Sequence, residues 1–138
     1  MSKLALITGA TAGIGEACSR LFAENGYNLI LLARRTDKLN ALAEQLRKDF
    51  GIQVITVTAD VRNKTEVLEL DSLSDDWKEV DVLVNNAGLS QGLDPIHQGH
   101  TDDWDTMIDT NVKGLLYITR TVSPWMVSRK SGHIVNIG

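Results

Sequence analysis

Cysteine is almost absent. Cys18 is the single one in 138 residues, so no disulfide can close within the chain, and a reducing compartment is expected. Its place on an apolar helical face suits a small core residue better than a nucleophile. Long apolar runs are lacking as well: nowhere do about 18 apolar residues follow one another, so no membrane-spanning helix is expected. The opening "MSKLALITGA" has too short an apolar run for a secretory signal, and Gly9 and Gly13 interrupt it. Lys and Arg number 14 against 18 Asp and Glu, leaving a net charge of −4. They form no basic stripe, which argues against nucleic acid or a membrane surface as partner. His97, His100 and His133 do not share metal-ligand spacing with Cys18 and read as loop or rim residues, so no metal site is expected. Prolines are limited to Pro95, in a loop, and Pro124, which should bend or end a helix. These absences together predict a soluble, cytoplasmic protein.

What is present is ordinary globular material, 43% hydrophobic and 23% charged, at a length that suits one domain over residues 1–138. Short apolar runs alternate with helical periodicity. Leu4 to Ile7 is a strand candidate. Ile14, Ala17, Cys18, Leu21 and Phe22 then fall on one helical face, closing near Gly26. "YNLILLA" (27–33) is a second strand. The next helix shows Leu39, Leu42, Leu46 and Phe50 on one face, with Thr36 or Asp37 as cap and Gly51 as terminator. "IQVITVTA" (52–59) is β-branched and reads as a third strand. A polar, weakly helical stretch follows from about Asn63 to Glu79. "DVLVNNAG" (81–88) is a fourth strand ending in a turn, and a loop with Gly92, Pro95 and Gly99 comes next. Thr101 opens a long helix with Asp102 and Asp103 at its positive end, and "HIVNIG" is a fifth strand. Apolar strands alternating with amphipathic helices predict an α/β fold: a doubly wound parallel sheet of the Rossmann type, covered on both faces.

"TGATAGIG" (8–15) joins the first strand to the first helix. Gly9, Gly13 and Gly15 remove side chains where the chain turns tightly, and the helix start beyond them offers free N–H groups suited to a pyrophosphate. A plain glycine-rich turn is the bland alternative. No Gly-Lys-Ser/Thr follows, so this is not an ATP- or GTP-type loop. The second strand ends Ala33-Arg34-Arg35. A carboxylate there would hold a ribose 2′-hydroxyl, whereas paired guanidiniums suit a 2′-phosphate. Two solvated surface arginines are the alternative. NADP(H) is therefore expected over NAD(H).

Taken together, Thr8-Gly-x-x-x-Gly13-x-Gly15, Asp60-Val61, Asn85-Asn86-Ala87-Gly88, Asn111 and "GHIVNIG" resemble the short-chain dehydrogenase/reductase family, in the family's own order and across the whole chain. The resemblance implies a cofactor site of Gly9, Thr11, Gly13, Ile14, Gly15, Arg34, Arg35, Asp60, Val61, Asn86, Ala87 and Gly88. Asp60 would accept from the adenine amino group, although Asp is also a common turn residue. Val61 would line the adenine pocket, Asn85 to Gly88 would support the central sheet and border the cofactor ribose, and Ile14 would sit by the pyrophosphate and nicotinamide riboses.

The same resemblance makes Asn111 the catalytic residue present here, bonding a local distortion of the helix and holding a water in a proton relay. Read from periodicity alone, Asn111 falls on the apolar stripe of Trp104, Met107, Ile108, Leu115 and Val122, where a buried amide must find a partner.

The resemblance further implies a Ser just after the fifth strand and a Tyr-x-x-x-Lys on the next helix. Tyr27 and Tyr117 lack the lysine at that offset. The expectation is the amino-terminal portion of an NADP(H)-dependent oxidoreductase acting on a small alcohol or ketone, inactive by itself and prone to self-association. The segment "DDWDTMIDTNVKGLLYITRTVSPWM" with "ARR" is similar to the subgroup that acts on short 3-hydroxy acids. Family members are commonly dimers or tetramers, so a homo-oligomer is implied. A noncatalytic NADP(H)-binding module, or a fragment that binds nothing, are the alternatives.

Overall fold

Leu4–Thr8 carries five successive buried residues with no polar face, the mark of a strand covered on both sides. It forms β1. The computed structural model, which describes residues 2–88 and 94–138, adds β2 at Asn28–Ala33, β3 at Val54–Thr58, β4 at Val82–Asn85 and β5 at His133–Asn136. Every pairing is parallel, and the order is β3-β2-β1-β4-β5. The chain winds outward from β1 to β3, then returns to the other side of β1 with β4. That reversal beside β1 is where a doubly wound sheet opens a crevice at the carboxyl ends of its strands.

Side-chain alternation along the strands builds two cores. Leu4 and Leu6 of β1, with Ile30 and Leu32 of β2, face one layer, where Ile118, Val122 and Met126 meet them. Ala5 and Ile7, with Leu29 and Leu31, face the other, against Leu39, Leu42 and Leu46. Each fully buried Leu or Ile contributes about 1.5–3 kcal/mol relative to exposure. The helices between the strands are α1 at Gly13–Glu24, α2 at Thr36–Phe50, α3 at Lys64–Leu68, α4 at Thr101–Ile108 and α5 at Leu115–Arg129. The weakly helical region after Asn63 is α3 followed by 3-10 turns at Glu69–Ser72 and Asp75–Lys78. Gly51 ends α2 in the left-handed conformation (φ 66°), as expected of a terminator. Gly92 of the following loop lies outside the described residues.

Four details depart from the sequence reading. First, α1 does not bury the stripe of Ile14, Ala17 and Leu21. Its buried residues are Gly15, Ser19 and Ala23, while Ile14 and Leu21 are 57% and 59% exposed. The fully buried positions hold small side chains, while Cys18 and Phe22 of the expected stripe pack against the same core partly buried. Second, the long helix is not uniformly α-helical. A π-helical turn, Asp109–Gly114, separates α4 from α5, and its wider winding shifts the buried line. Thr110, Gly114, Ile118 and Thr121 point inward, while Ile108 and Asn111 are exposed. The expected burial of Asn111 is therefore incorrect, whereas a local distortion at that residue is present. Third, of the two outcomes expected at Pro124, a bend or an end, the end does not occur: Pro124 lies inside α5. Fourth, neither Thr36 nor Asp37 caps α2. Arg35 holds the cap position without a side-chain bond, and the Thr36 hydroxyl pairs with that of Thr58 at 2.9 Å.

Candidate functional site

The end of β1 and the end of β4 are joined through one hydroxyl. Thr8 Oγ1 accepts from the backbone N–H of Asn86 and of Ala87, each at 3.0 Å, and donates to the Val84 carbonyl at 3.4 Å. The Asn86 side chain then donates to the Gly9 carbonyl at 3.1 Å. This fixes the glycine turn against the segment after β4.

The three glycines do different things. Gly9 takes φ 62°, and a Cβ there would meet Asn86 and Ala87 at 2.9–3.1 Å. A Cβ on Gly15 would lie 2.0 Å from the Gly9 carbonyl oxygen, so this glycine lets α1 dock. Gly13 takes φ 54°, and a Cβ there would meet nothing within 4 Å. Its missing side chain leaves the cleft open.

A cleft of about 480 Å³ opens at this point. One wall is the glycine turn and the start of α1: Gly9, Thr11, Gly13 and Ile14. Arg34, Arg35 and Lys38 stand along one edge. Asp60 and Val61 follow β3, and Asn86, Ala87 and Gly88 form the opposite wall. The N-terminus of α1 has no side-chain cap, so its first N–H groups and positive end remain available to an anion. Eleven of the twelve residues expected at a cofactor site thus line one cleft. Gly15 does not line it and acts beneath it. Asn111 stands at the edge, its Oδ1 2.9 Å from where a Cβ on Gly88 would be. Lys38 and Thr110 line the cleft without having been anticipated. Lys38 lies one helical turn past Arg35, a spacing that could have flagged it.

Asp60 has a structural task. Its Oδ1 accepts from the Arg62 backbone N–H at 3.0 Å, closing a turn, and both its oxygens accept from the Arg62 guanidinium at 2.7–3.1 Å. This pairing holds the Asp60 carboxyl below its ordinary value of 3.8, against the opposing effect of burial, and raises Arg62 in turn. On the neighbouring π turn, Lys113 pairs with Asp109 at 3.2 Å, which raises the lysine.

Among the described residues no group of three or more His, Cys, Asp or Glu is placed to hold a metal ion, and no helix is long and apolar enough to cross a membrane. His133 begins β5 and does not lie on a loop.

The residues fit a phosphorylated dinucleotide on physical grounds. The glycine turn leaves room for backbone approach, α1 presents a free N-terminus, cations stand at one edge, and a buried hydroxyl of Thr110 lacks a hydrogen-bond partner among the described residues. Fold and site together define a Rossmann-type domain, a doubly wound parallel sheet with a cleft at the carboxyl ends of its strands. Residues 3–138 match the model of the short chain dehydrogenase family, and the chain belongs to that family. It is 52% identical over 136 residues to the NADP-dependent 3-hydroxy acid dehydrogenase YdfG of Salmonella typhi, covering 98% of this chain and 53% of the relative. It is 44% identical to sulfoacetaldehyde reductase 2 of Chromohalobacter salexigens, covering 100% of this chain and 55% of that one. Among solved structures, serine dehydrogenase from Escherichia coli superposes with a TM-score of 0.88 at 46% identity, over 98% of this chain and 61% of that one. A closed form of serine dehydrogenase complexed with NADP+ gives 0.89 at 46% identity, over 98% and 53%. The chain spans about half the length of the curated relatives it matches.

Proposed function

We propose that this chain forms the NADP(H)-binding part of an oxidoreductase that interconverts a small secondary alcohol and its ketone, a short 3-hydroxy acid being the favoured substrate class. The observation that carries the reading is the cleft itself: a side-chain-free turn at a helix start on one wall, and Arg34, Arg35 and Lys38 at its edge, with no carboxylate at the end of β2. A 2′-phosphate would be held by guanidinium forks there, with Lys38 as a further point charge. The relatives named for NADP and for 3-hydroxy acids support the cofactor and the substrate class.

Bound nicotinamide would supply or accept the hydride. The chain's own residues bind, orient and exclude water. Gly9, Thr11, Gly13 and Ile14 would hold the pyrophosphate and its riboses, with Gly15 seating α1 behind them. Val61 would line the adenine pocket, and Asn86, Ala87 and Gly88 the ribose. Each Asp60 oxygen already accepts from Arg62, so an adenine amino group would share that carboxylate. Asn111, beside Gly88 on the π turn, would hold a water in the proton relay that the family resemblance implies. A cytoplasmic location and a homo-oligomer belong to the same reading.

The test is binding and turnover in the full-length protein. NADPH should bind at least tenfold tighter than NADH, and 3-hydroxy acids should be oxidised with NADP+ in preference to NAD+. Equal affinity for the two coenzymes would overturn the phosphate assignment.

A further inference from the structure

Three helical hydroxyls in this chain bond back along their own helices, and the buried hydroxyl of Thr110 does not. Ser19, Thr106 and Thr121 each donate to the carbonyl four residues back, at 2.8, 2.9 and 2.8 Å. Thr110 is 7% exposed, and its Oγ1 is buried without a hydrogen-bond partner among the described residues. Leaving such a group unpaired is unfavourable, and native chains do so rarely. Asn85 Oδ1 is in the same position, but Asn85 does not line the cleft. Thr110 does, together with Asp60, Val61, Ala87 and Gly88. It sits on the π turn, and such turns occur frequently at functional sites. Gly114, one turn further, packs directly on Val61: a Cβ there would come within 2.5 Å of Val61 Cγ2. The π turn therefore holds Thr110 against the segment that follows β3.

We infer that Thr110 is a coenzyme-binding residue, its hydroxyl reserved for a polar atom on the adenosine half of the dinucleotide. The inference rests on the NADP(H) reading above and deepens it. Adenine ring nitrogens and ribose oxygens can accept from Oγ1, and a ribose hydroxyl can also donate to it. On the π turn the Thr110 hydroxyl makes no bond among the described residues, and it stays available until ligand arrives. The isosteric change Thr110→Val separates this role from a packing role, because the two predict opposite signs.

The experiment compares wild type, Thr110→Val, Thr110→Ser and Arg34→Asp in the full-length protein. It measures melting temperature without ligand, and Kd for NADPH and for adenosine 2′,5′-bisphosphate. Thr110→Val should melt no lower than wild type, since it removes an unpaired buried hydroxyl. It should bind both ligands about 3- to 10-fold more weakly, the worth of one hydrogen bond. Thr110→Ser should keep affinity within about twofold. Unchanged affinity in Thr110→Val would overturn the inference, and Arg34→Asp would still report on the phosphate site. Weaker NADPH with unchanged bisphosphate binding would also overturn it, by placing the contact outside the adenosine half. A lower melting temperature with unchanged affinity would assign Thr110 to packing. Failure of wild type to bind NADPH would overturn both readings together.

Discussion

The Asn86 side-chain amide donates to the Gly9 carbonyl across 3.1 Å, and the same amide lies 2.5 Å from where a Cβ on Gly15 would be built. One side chain from the end of β4 thus closes over the turn after β1 and takes the space that two glycines leave. The cleft wall is set by this contact as much as by the glycines themselves.

Gly15→Ala and Gly13→Ala should therefore behave differently. At Gly15 the new methyl meets the Gly9 carbonyl at 2.0 Å, so α1 must move off the sheet. The cost should reach the upper end of the roughly 1–3 kcal/mol of overpacking, or exceed it. At Gly13 the methyl meets open space, and the cost is left-handed strain of about 1–2 kcal/mol. Yet that methyl projects into the cleft. Denaturant melts should rank Gly15→Ala as the less stable variant, while Gly13→Ala should lose NADPH affinity beyond its stability loss. Equal melts for the two would show that the turn relaxes freely.

Arg34→Asp should weaken NADPH by about tenfold or more while changing NADH by less than about threefold, because a charge-assisted contact to a phosphate contributes about 1.5–3 kcal/mol. Titration calorimetry with both coenzymes checks this. Lys38→Ala, at the same edge, should give a smaller loss of the same selectivity. Parallel losses for both coenzymes would mean that the cations serve the pyrophosphate or general steering.

Much of this was legible in the sequence, and the misses have physical causes. The sheet was readable because strands buried on both faces have no polar alternation. The glycine turn and the Arg34-Arg35 pair were readable because each sits at the end of a strand, where a doubly wound sheet binds ligands. The buried face of α1 was misjudged, since hydrophobicity points to Ile14 and Leu21 while close docking selects Gly15, Ser19 and Ala23. Thr110 was missed for a related reason. A regular α-helical period puts Asn111 on the apolar stripe, and the π turn rotates Thr110 into that place. The clamp of Arg62 on Asp60 was invisible because periodicity carries no information about side-chain pairing within a turn.

Asp60 should contribute to acid stability. Its folded value lies below 3.8, chiefly through the Arg62 hydrogen bonds. A depressed carboxyl stabilises the fold above its unfolded value and loses that contribution as pH falls through the folded one. With side chains 24–35% exposed, the pair contributes on the order of 1 kcal/mol after solvent screening. Asp60→Asn should therefore melt lower than wild type at pH 7, and the two curves should converge as pH drops below 3.8. Curves that stay parallel across that range would place the stabilisation elsewhere.

Gly114→Ala tests the joint between the π turn and the cleft. Its Cβ would lie 2.5 Å from Val61 Cγ2 and 3.3 Å from the Val61 carbonyl oxygen, so the π turn or the segment after β3 must shift. The expected cost is about 1–3 kcal/mol, and because Val61 and Thr110 both line the cleft, NADPH affinity should fall as well. Val61→Ala alone leaves a void and should cost about 1–2 kcal/mol, less than the loss of a larger side chain. In the double variant the new methyl occupies part of that void, so the combined loss should be smaller than the two single losses together by about 0.5–3 kcal/mol. A double-mutant cycle on denaturant midpoints measures this directly. Additive losses would mean that the π turn and Val61 move independently, and that a change at one does not reach the coenzyme through the other.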